Sequence, residues 1–334
     1  MENESDSLLE VKDLEIRFPI RRGVFKRTVG WVRAVDGVSF SIRRGETLGL
    51  VGESGCGKTT TLRAIVRAVE PTGGDVRFMS QGNGRSDNIT KLESGGLRDI
   101  RQQIRVIFQD PLSSLNPRFR VRDIIAEPLK AYHLLKGRSE IDAKIERIME
   151  SVRLDKTYLH RYPFAMSGGQ MQRIGIGRAL ATDPQLLLAD EPTSALDVSV
   201  QAQILNLLLD LQQKMNLSIL FVTHDLSVIR HVSDRIAVMY LGKIVELGET
   251  NAVFKQPLHP YTEALLSAIP EPNPHLQSRR IILKGDIPGA TDRPLGCAFH
   301  PRCQYAQDIC RVETPKLLPS KTKGHQMACH FPLA

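Results

Sequence analysis

The sequence predicts an α/β fold in which a largely parallel sheet is flanked by helices. Between residue 8 and about residue 248, short apolar runs typical of buried strands alternate with stretches of helical periodicity. The chain has 334 residues, which is enough for one large domain and a smaller unit. Hydrophobic residues at 41% and charged residues at 25% are ordinary for a globular protein that buries a sizeable core.

The elements can be assigned in chain order. Helices are predicted over 58–69, directly after the first apolar run, and over 200–216, where leucine and isoleucine recur at helical spacing. Residues 236–248 contain two extended runs around Leu-Gly-Lys and predict a hairpin. Residues 120–160 have no strong strand signal and predict a helical insert. Four apolar runs predict strands: TLGLVG (47–52), IRVIFQ (104–109), QLLLAD (185–190) and SILFVTH (218–224).

The character of the chain changes near residue 250. Beyond it prolines multiply, periodicity fades, and four of the five cysteines lie between 297 and 329. We therefore predict one unit at 1–250, with a helical subdomain at about 110–180, and a second unit at 251–334.

Charge and hydropathy restrict the function classes. The net charge of +8 is compatible with nucleic acid, an anionic membrane surface or a nucleotide, and does not choose among them. No stretch approaches the roughly 18 consecutive apolar residues of a membrane span. The acidic start MENESDSLLEVKD has neither the basic nor the apolar region of a secretory signal. We expect the protein to stay in the cytosol.

The stretch GESGCGKT (52–59) fits the pattern G-x-x-x-x-G-K-[ST] between a predicted strand and a predicted helix. Its backbone N–H groups can surround phosphate oxygens, the helix dipole adds positive potential, and Lys58 adds a full charge. Thr59 can place its hydroxyl on Mg²⁺. The alternative is a glycine-rich turn with a chance lysine. The predicted nucleotide contacts are Gly52, Glu53, Ser54, Gly55, Cys56, Gly57, Lys58, Thr59 and Thr60.

Two carboxylates end the predicted strand at 185–190. Asp190 would hold Mg²⁺, directly or through water. Glu191, one residue further out, could polarise a water against the γ-phosphate as a general base. The alternative for such a pair is two solvated acids at a strand end.

A second anion site is predicted at SGGQ. Ser167 precedes a helix together with Gly168, Gly169 and Gln170, and as its N-cap it would expose the first N–H groups of the helix. One nucleotide does not need two such sites in one chain. Either this is a cap without a ligand, or a head-to-tail dimer supplies each nucleotide with one site from each subunit.

These motifs carry a family resemblance. GESGCGKT, QD at 109–110, SGGQ, LLLADEPTSALD and VTHD, in this order and spacing, resemble the nucleotide-binding subunit of an ABC transporter. RAVDGVSF, IFQDPLSSLNPR, PLHPYT and the cysteine tail are similar to the oligopeptide/dipeptide permease ATPases, and the insert at 19–31 favours the OppF/DppF-like subunit. The resemblance implies a P-loop NTPase cassette: a RecA-like core, an antiparallel β subdomain, a helical subdomain and a small cysteine-containing extension.

The resemblance also implies roles for single residues. Gln109 matches the glutamine that senses Mg²⁺ and the attacking water, in a loop that faces the membrane subunits. Ser167 to Gln170 match the signature motif that clamps the γ-phosphate of ATP bound to the partner ATPase. Ser194 to Asp197 match a loop that crosses the dimer interface, and His224 matches the switch histidine at the γ-phosphate.

Two positions depart from the family pattern or leave it open. Met166 stands where the family usually has leucine or phenylalanine, a conservative apolar change. The insert obscures the aromatic that stacks on adenine: Phe18 is our choice, with Phe25 and Trp31 as alternatives.

The cysteine tail has the spacing C-x5-C-x6-C-x18-C, formed by Cys297, Cys303, Cys310 and Cys329. Four thiolates could hold an iron–sulfur cluster or zinc. The resemblance favours a [4Fe-4S] cluster, because related peptide-permease ATPases carry one in a similar tail. The alternative is four reduced cysteines in a loop-rich segment, since the spacing matches no general metal motif.

The resemblance implies an ATP-hydrolysing importer subunit, peripheral at the cytoplasmic face of the membrane, most readily for dipeptides or oligopeptides. Its cofactors would be ATP and Mg²⁺. Its partners would be a second ATPase in a head-to-tail heterodimer, two membrane permeases and, indirectly, an extracytoplasmic binding protein, with no nucleic acid. The alternatives are a soluble ABC ATPase acting on DNA or ribosomes, an importer subunit for nickel or sugars, and a docking subunit whose partner hydrolyses ATP.

Overall fold

The computed structural model describes residues 6–23, 25–80, 86–269, 280–289, 291 and 293–333. Its strands are β1 (Ser7–Arg22), β2 (Arg27–Arg43), β3 (Thr47–Val51), β4 (Gly73–Met79), β5 (Ser86–Asn88), β6 (Ile104–Ile107), β7 (Leu186–Asp190), β8 (Ser218–Thr223), β9 (Arg235–Tyr240), β10 (Lys243–Glu249), β11 (Leu318–Pro319) and β12 (Gln326–Met327). Its helices are α1 (Lys58–Ile65), α2 (Ser94–Gln103), α3 (Pro111–Ser114), α4 (Val121–Ala131), α5 (Arg138–Ser151), α6 (Gly168–Leu180), α7 (Val198–Met215), α8 (Leu226–Val232), α9 (Thr250–Lys255), α10 (Pro260–Ser267) and α11 (Asp308–Val312).

Within these residues the larger sheet has the order β11-β12-β10-β9-β3-β8-β7-β6. The five strands from β9 to β6 are parallel, and β10, β12 and β11 continue the sheet antiparallel. Alternate residues of β7 enter different cores: Leu186 and Leu188 face one, and Leu187 and Ala189 the other. Because both faces of the sheet are covered by a hydrophobic core, the sequences of these strands are continuous apolar runs. The predicted α/β fold and its strands are confirmed.

Two predicted helices differ in their limits. The helix predicted to reach residue 69 ends at Ile65, because Arg67 adopts a φ of 49° and turns the chain towards β4. The helix predicted from residue 200 begins at Val198, because the Asp197 carboxylate accepts a hydrogen bond from the Val200 N–H (2.9 Å) and caps it.

A smaller antiparallel sheet covers one face of the larger one, in the order β2-β1-β4-β5. Strands β1 and β2 form a long hairpin that includes the predicted insert at 19–31. Val11, Phe40 and Phe78 from this sheet share a buried core with Leu50 of β3. Only the family resemblance predicted this sheet.

The predicted helical insert at 120–160 is confirmed as α4, α5 and a short turn at Lys156–His160. Ile125, Ile145 and Ile148 of these helices pack in the core shared with α6. Every helix of the described residues falls short of the length and apolar character that a membrane span requires.

The segment after residue 250 is joined to the same core. Strand β12 pairs with β10 through Met327 and Glu246, and Tyr261 and Phe299 are buried in the cluster that contains the central strands. The Glu246 carboxylate, fully buried, accepts hydrogen bonds from the backbone of Leu258 (2.7 Å) and His259 (3.0 Å) and contacts a ring nitrogen of His325 at 2.7 Å. We propose that 1–250 and 251–334 are sequence segments that share one core.

Candidate nucleotide-binding site

The glycine loop connects β3 to α1, and different constraints favour glycine at its three glycine positions. A Cβ on Gly52 would lie 2.1 Å from the carbonyl oxygen of Met239, and one on Gly57 would lie 2.3 Å from that of Ala34. Packing therefore excludes side chains at both. At Gly55, with φ of 79°, an added Cβ would meet nothing within 4 Å. This third glycine borders open space, as expected for a loop whose backbone contacts a ligand.

A cavity of about 560 Å³ lies against this loop. It brings the predicted loop residues, except Cys56, together with three residues predicted from distant parts of the sequence. The lining consists of Ala34, Gly52, Glu53, Ser54, Gly55, Gly57, Lys58, Thr59, Thr60, Gln109, Glu191, His224 and Leu265.

Lys58 opens α1 and is 5% exposed. Its Nζ donates to the carbonyl oxygens of Gly52 (2.6 Å) and Glu53 (3.1 Å), so the loop wraps around the ammonium group. Cys56 lies beneath the loop with Sγ 3.9 Å from this Nζ, and burial raises the pKa of its thiol. The side chain of Cys56 does not line the cavity, and its N–H donates to the carbonyl oxygen of Glu53 (3.3 Å). Of the loop residues, Cys56 is therefore the least suited to contact a nucleotide.

The hydroxyl of Thr59 donates to Asp190 Oδ1 at 2.9 Å. Asp190 is 6% exposed at the end of β7, and this burial raises the pKa of its carboxyl while the bond from Thr59 opposes the rise. A hydroxyl and a carboxylate at this spacing beside a phosphate loop are suited to hold Mg²⁺, and a cation there would offset the desolvation of Asp190.

Glu191 is the centre of a hydrogen-bonded group of three. One carboxylate oxygen lies 3.0 Å from His224 Nδ1, and the other accepts a bond from Gln109 Nε2 at 3.1 Å. Glu191 has a left-handed φ of 44°, and its N–H bonds to the carbonyl oxygen of Val222 (2.9 Å), which holds this unfavourable conformation.

Sheet topology explains why these three side chains meet. Gln109, Glu191 and His224 follow the carboxyl ends of β6, β7 and β8, which are neighbours in the parallel part of the sheet. The carboxyl ends of parallel strands lie on one edge, where ligands of open α/β sheets bind.

The signature segment forms the predicted cap. Ser167 Oγ accepts from the Gln170 N–H (3.3 Å), and the Gln170 side chain accepts from the Ser167 N–H (3.0 Å), a reciprocal capping box that confirms Ser167 as the N-cap of α6. A Cβ on Gly169 would lie 2.4 Å from a methyl carbon of Val200, so this glycine lets α6 pack on α7. Gly168 and the rest of 167–170 do not line the cavity beside Lys58.

The predicted adenine aromatics are not brought to the cavity. Phe18 is 40% exposed on β1, Trp31 54% and Phe25 85%, and none of them lines it. The cavity instead has Ala34 and Leu265 as apolar residues, which the sequence did not indicate.

Sequence reasoning also missed two residues that hold the loop from behind. Tyr261 and Arg302, both from the C-terminal segment, contact Glu53. The motif PLHPYT contains Tyr261, and it was a signal of family membership but not of contact with the loop.

The four tail cysteines lie in one region. The Cys297 N–H donates to the carbonyl oxygen of Cys310 (2.8 Å). Burial, with added repulsion from neighbouring cysteines, raises the pKa of the Cys297 and Cys303 thiols and that of Cys329 to about 11. Among the described residues, however, no three His, Cys, Asp or Glu side chains are grouped so as to hold a metal ion. As placed, the thiols do not form the ligand set of the predicted cluster.

Comparison with known proteins matches two regions of the chain. Residues 35–194 match the family described as ABC transporter, and residues 245–310 match the oligopeptide/dipeptide transporter C-terminal region. The chain is 48% identical to the oligopeptide transport ATP-binding protein AppF of Bacillus subtilis, over 98% of both chains. It is 43% identical to the di/tripeptide transport ATP-binding protein DppF of Pseudomonas aeruginosa, over 97% of this chain and 98% of that protein.

Solved structures agree with the fold. The ATP-binding cassette MJ0796, in a dimeric post-hydrolysis state bound to ADP and Pi, is 27% identical and superposes with a TM-score of 0.63, covering 73% of this chain and 99% of that one.

Proposed function

Because this chain belongs to the ABC transporter family, among the ATP-binding subunits of oligopeptide and dipeptide permeases, we propose that the cavity beside Lys58 is where ATP is hydrolysed to drive peptide import. The chain is an ATPase that works with membrane permease subunits. The observation that carries the site assignment is the convergence of Lys58, Gln109, Glu191 and His224 on one cavity. The curated relatives are named for oligopeptides, dipeptides or tripeptides, which favours these cargoes over nickel or sugars and over action on DNA or ribosomes.

The loop residues would bind the phosphates through backbone N–H groups and Lys58. Thr59 and Asp190, with Gln109, would hold Mg²⁺, which when bound neutralises charge on the β- and γ-phosphates. Glu191 would accept a proton from water as the water oxygen bonds to the γ-phosphorus and the bond to the ADP oxygen breaks. Gln109 and His224 each fix one oxygen of Glu191, so the base is oriented before the reaction.

Lys58→Ala tests the site. The substitution removes the cation at the phosphates and should abolish detectable ATP binding by calorimetry and peptide uptake in reconstituted vesicles. Lys214→Ala, an exposed lysine on α7, is the matched control and should bind ATP as the wild type does. Unchanged ATP affinity in Lys58→Ala would remove the cavity from the proposal.

The second anion site, at Ser167, is the ground for proposing a head-to-tail heterodimer. Ser167 caps α6, and its segment lies outside the chain's own cavity, so it is available to an ATP held by a partner. The family relationship favours a second, different ATPase as this partner.

Permease docking is proposed at a groove of about 930 Å³ between the sheet core and the helical insert. Phe108, 46% exposed, lines it directly before Gln109. Phe108→Glu should therefore abolish co-purification with the permeases while ATP binding persists. Val312→Glu, at a 79% exposed tail position, is the control and should co-purify normally. The same docking would place the chain at the cytoplasmic face, with the binding protein contacted only through the permeases.

A [4Fe-4S] cluster in the tail is proposed from the family resemblance and from the proximity of the four thiols. The side chains of the described residues are not grouped as metal ligands, which opposes this proposal. Metal analysis of anaerobically purified protein tests it. About four iron atoms per chain, lost in Cys303→Ser and kept in Cys56→Ser, would support the cluster. About one zinc would indicate a tetrahedral thiolate site, and neither metal would leave four reduced cysteines.

A further inference from the structure

Glu53, the second residue of the phosphate loop, is held from two sides by the C-terminal segment. The Tyr261 hydroxyl accepts a hydrogen bond from the Glu53 N–H at 2.9 Å. The Arg302 guanidinium donates to both oxygens of the Glu53 carboxylate, at 2.7 and 3.0 Å. Both side chains come from beyond residue 250, and a bidentate pair of this kind fixes direction as well as distance.

These two groups are themselves fixed. Tyr261 is 0% exposed, and its ring packs against those of Tyr240 and Phe299, with centroid distances of 4.7 and 5.4 Å. Phe299 directly precedes the short turn His300–Arg302 that carries the guanidinium. The Arg302 side chain is 7% exposed, and its guanidinium lies over the ring of Tyr240 at 5.9 Å. The loop is therefore attached to a packed aromatic core.

The pair also matters for charge. Glu53 lines the same cavity as Lys58, and an unpaired carboxylate there would repel a polyphosphate. The Arg302 guanidinium is charged at any ordinary pH, and its bonds to Glu53 raise its pKa further, so the pair neutralises the carboxylate.

We propose that Arg302 and Tyr261 are positioning residues of the ATP site, through which the C-terminal segment sets the conformation and the charge of the phosphate loop. The inference rests on the proposed function of that loop. Neither residue lines the cavity, and both act through Glu53.

The test is a mutant cycle with two readouts: the ATP dissociation constant of the full-length chain, and the separate values of kcat and KM in the assembled complex. Arg302→Ala should raise both Kd and KM for ATP about five- to tenfold, because one bidentate charge-assisted pair is lost. The fall in kcat at saturating ATP should be smaller than about twofold, since binding is weakened equally in the ground and transition states. Arg302→Lys keeps the charge and one bond, and should recover part of the affinity.

Two further variants separate positioning from general destabilisation. In a Glu53→Gln background, Arg302→Ala should change Kd by less than about twofold, because the carboxylate it neutralises is gone. Arg311→Ala, an exposed arginine in the same tail, should leave Kd unchanged. Circular dichroism and thermal unfolding of each variant report whether the tail remains folded.

If wild-type protein bound no ATP, or bound it equally after Lys58→Ala, the proposed site and this inference would both be wrong. If wild type bound ATP through Lys58 while Arg302→Ala kept the same Kd, or while the Arg302 effect were unchanged by Glu53→Gln, only the inference would be overturned.

Discussion

Replacing Glu191 by glutamine separates its chemical role from its structural one. The amide keeps the size of the side chain. Its oxygen can still accept from Gln109 Nε2, and its NH₂ group can donate to His224 Nδ1 when the imidazole proton is on Nε2, so both contacts of 3.1 and 3.0 Å have a replacement. What the amide cannot do is take up a proton from water.

The expected loss is therefore that of a general base alone. Such groups contribute about 10²- to 10⁴-fold to a rate, which corresponds to about 3–5 kcal/mol of transition-state stabilisation. Because the phosphate loop is untouched, the Kd for ATP should stay within about twofold of the wild-type value. ATP-bound protein should accumulate, since hydrolysis no longer clears the site.

The assay is phosphate release at saturating ATP in the assembled complex, with ATP binding measured in parallel. Glu249→Gln is the matched control, because this glutamate is exposed and its side chain does not cap the helix that follows it. It should hydrolyse ATP at the wild-type rate.

Turnover of Glu191→Gln within about threefold of wild type would refute the assignment of Glu191 as the base. A fall in both turnover and ATP affinity would instead mean that the carboxylate holds the site together, and that the amide does not replace its two hydrogen bonds.

Two other predictions concern the interface and the tail. Ser167→Arg in this chain should disable the ATP site whose lysine belongs to the partner subunit, and a mixed complex in which only the site of Lys58 is damaged would contradict the head-to-tail dimer. Burial lowers the pKa of His259 from 6.5 to about 4. Between these two pH values only the unfolded chain binds the proton. The free energy of unfolding therefore falls by about 3 kcal/mol as the pH decreases through this window. His259→Asn keeps an acceptor for the Tyr261 N–H. Urea unfolding at about pH 7 and about pH 4.5 should show a smaller loss of unfolding free energy in this variant than in wild type. An equal loss would show that His259 does not carry this pH dependence.

Local sequence predicted which polar residues follow the parallel strands, for a physical reason. Strands such as β7 and β8 are buried on both faces, so their apolar runs are continuous, and the polar residues that end them stand out. Glu191 was identified in this way and His224 through the family resemblance, and parallel pairing of β7 and β8 then brings them together.

Contacts that depend on packing across the chain were not predictable. Arg302 and Glu53 are 249 residues apart, and nothing in the proline-rich tail indicates that an arginine there faces the phosphate loop. The long hairpin of β1 and β2 is half solvated and has bulges that break its alternation, which hid it from a search for periodicity. The same hairpin keeps Phe18 on an exposed strand away from the cavity lining, although an aromatic near the insert was a reasonable choice.

The geometry also suggests how hydrolysis and transport communicate. Phe108 lines the groove proposed for the permeases, while Gln109, the next residue, holds one oxygen of Glu191. Both lie just beyond the end of β6, where the chain leaves the sheet for the helical insert. A permease that shifts this segment would change the distance between Gln109 Nε2 and the Glu191 carboxylate, because Phe108 and Gln109 are adjacent and both lie outside β6. With Glu191 as the proposed base and the permease docked as proposed, the carboxylate would be correctly oriented in only one docked arrangement, so the transporter would gate hydrolysis without contacting the nucleotide.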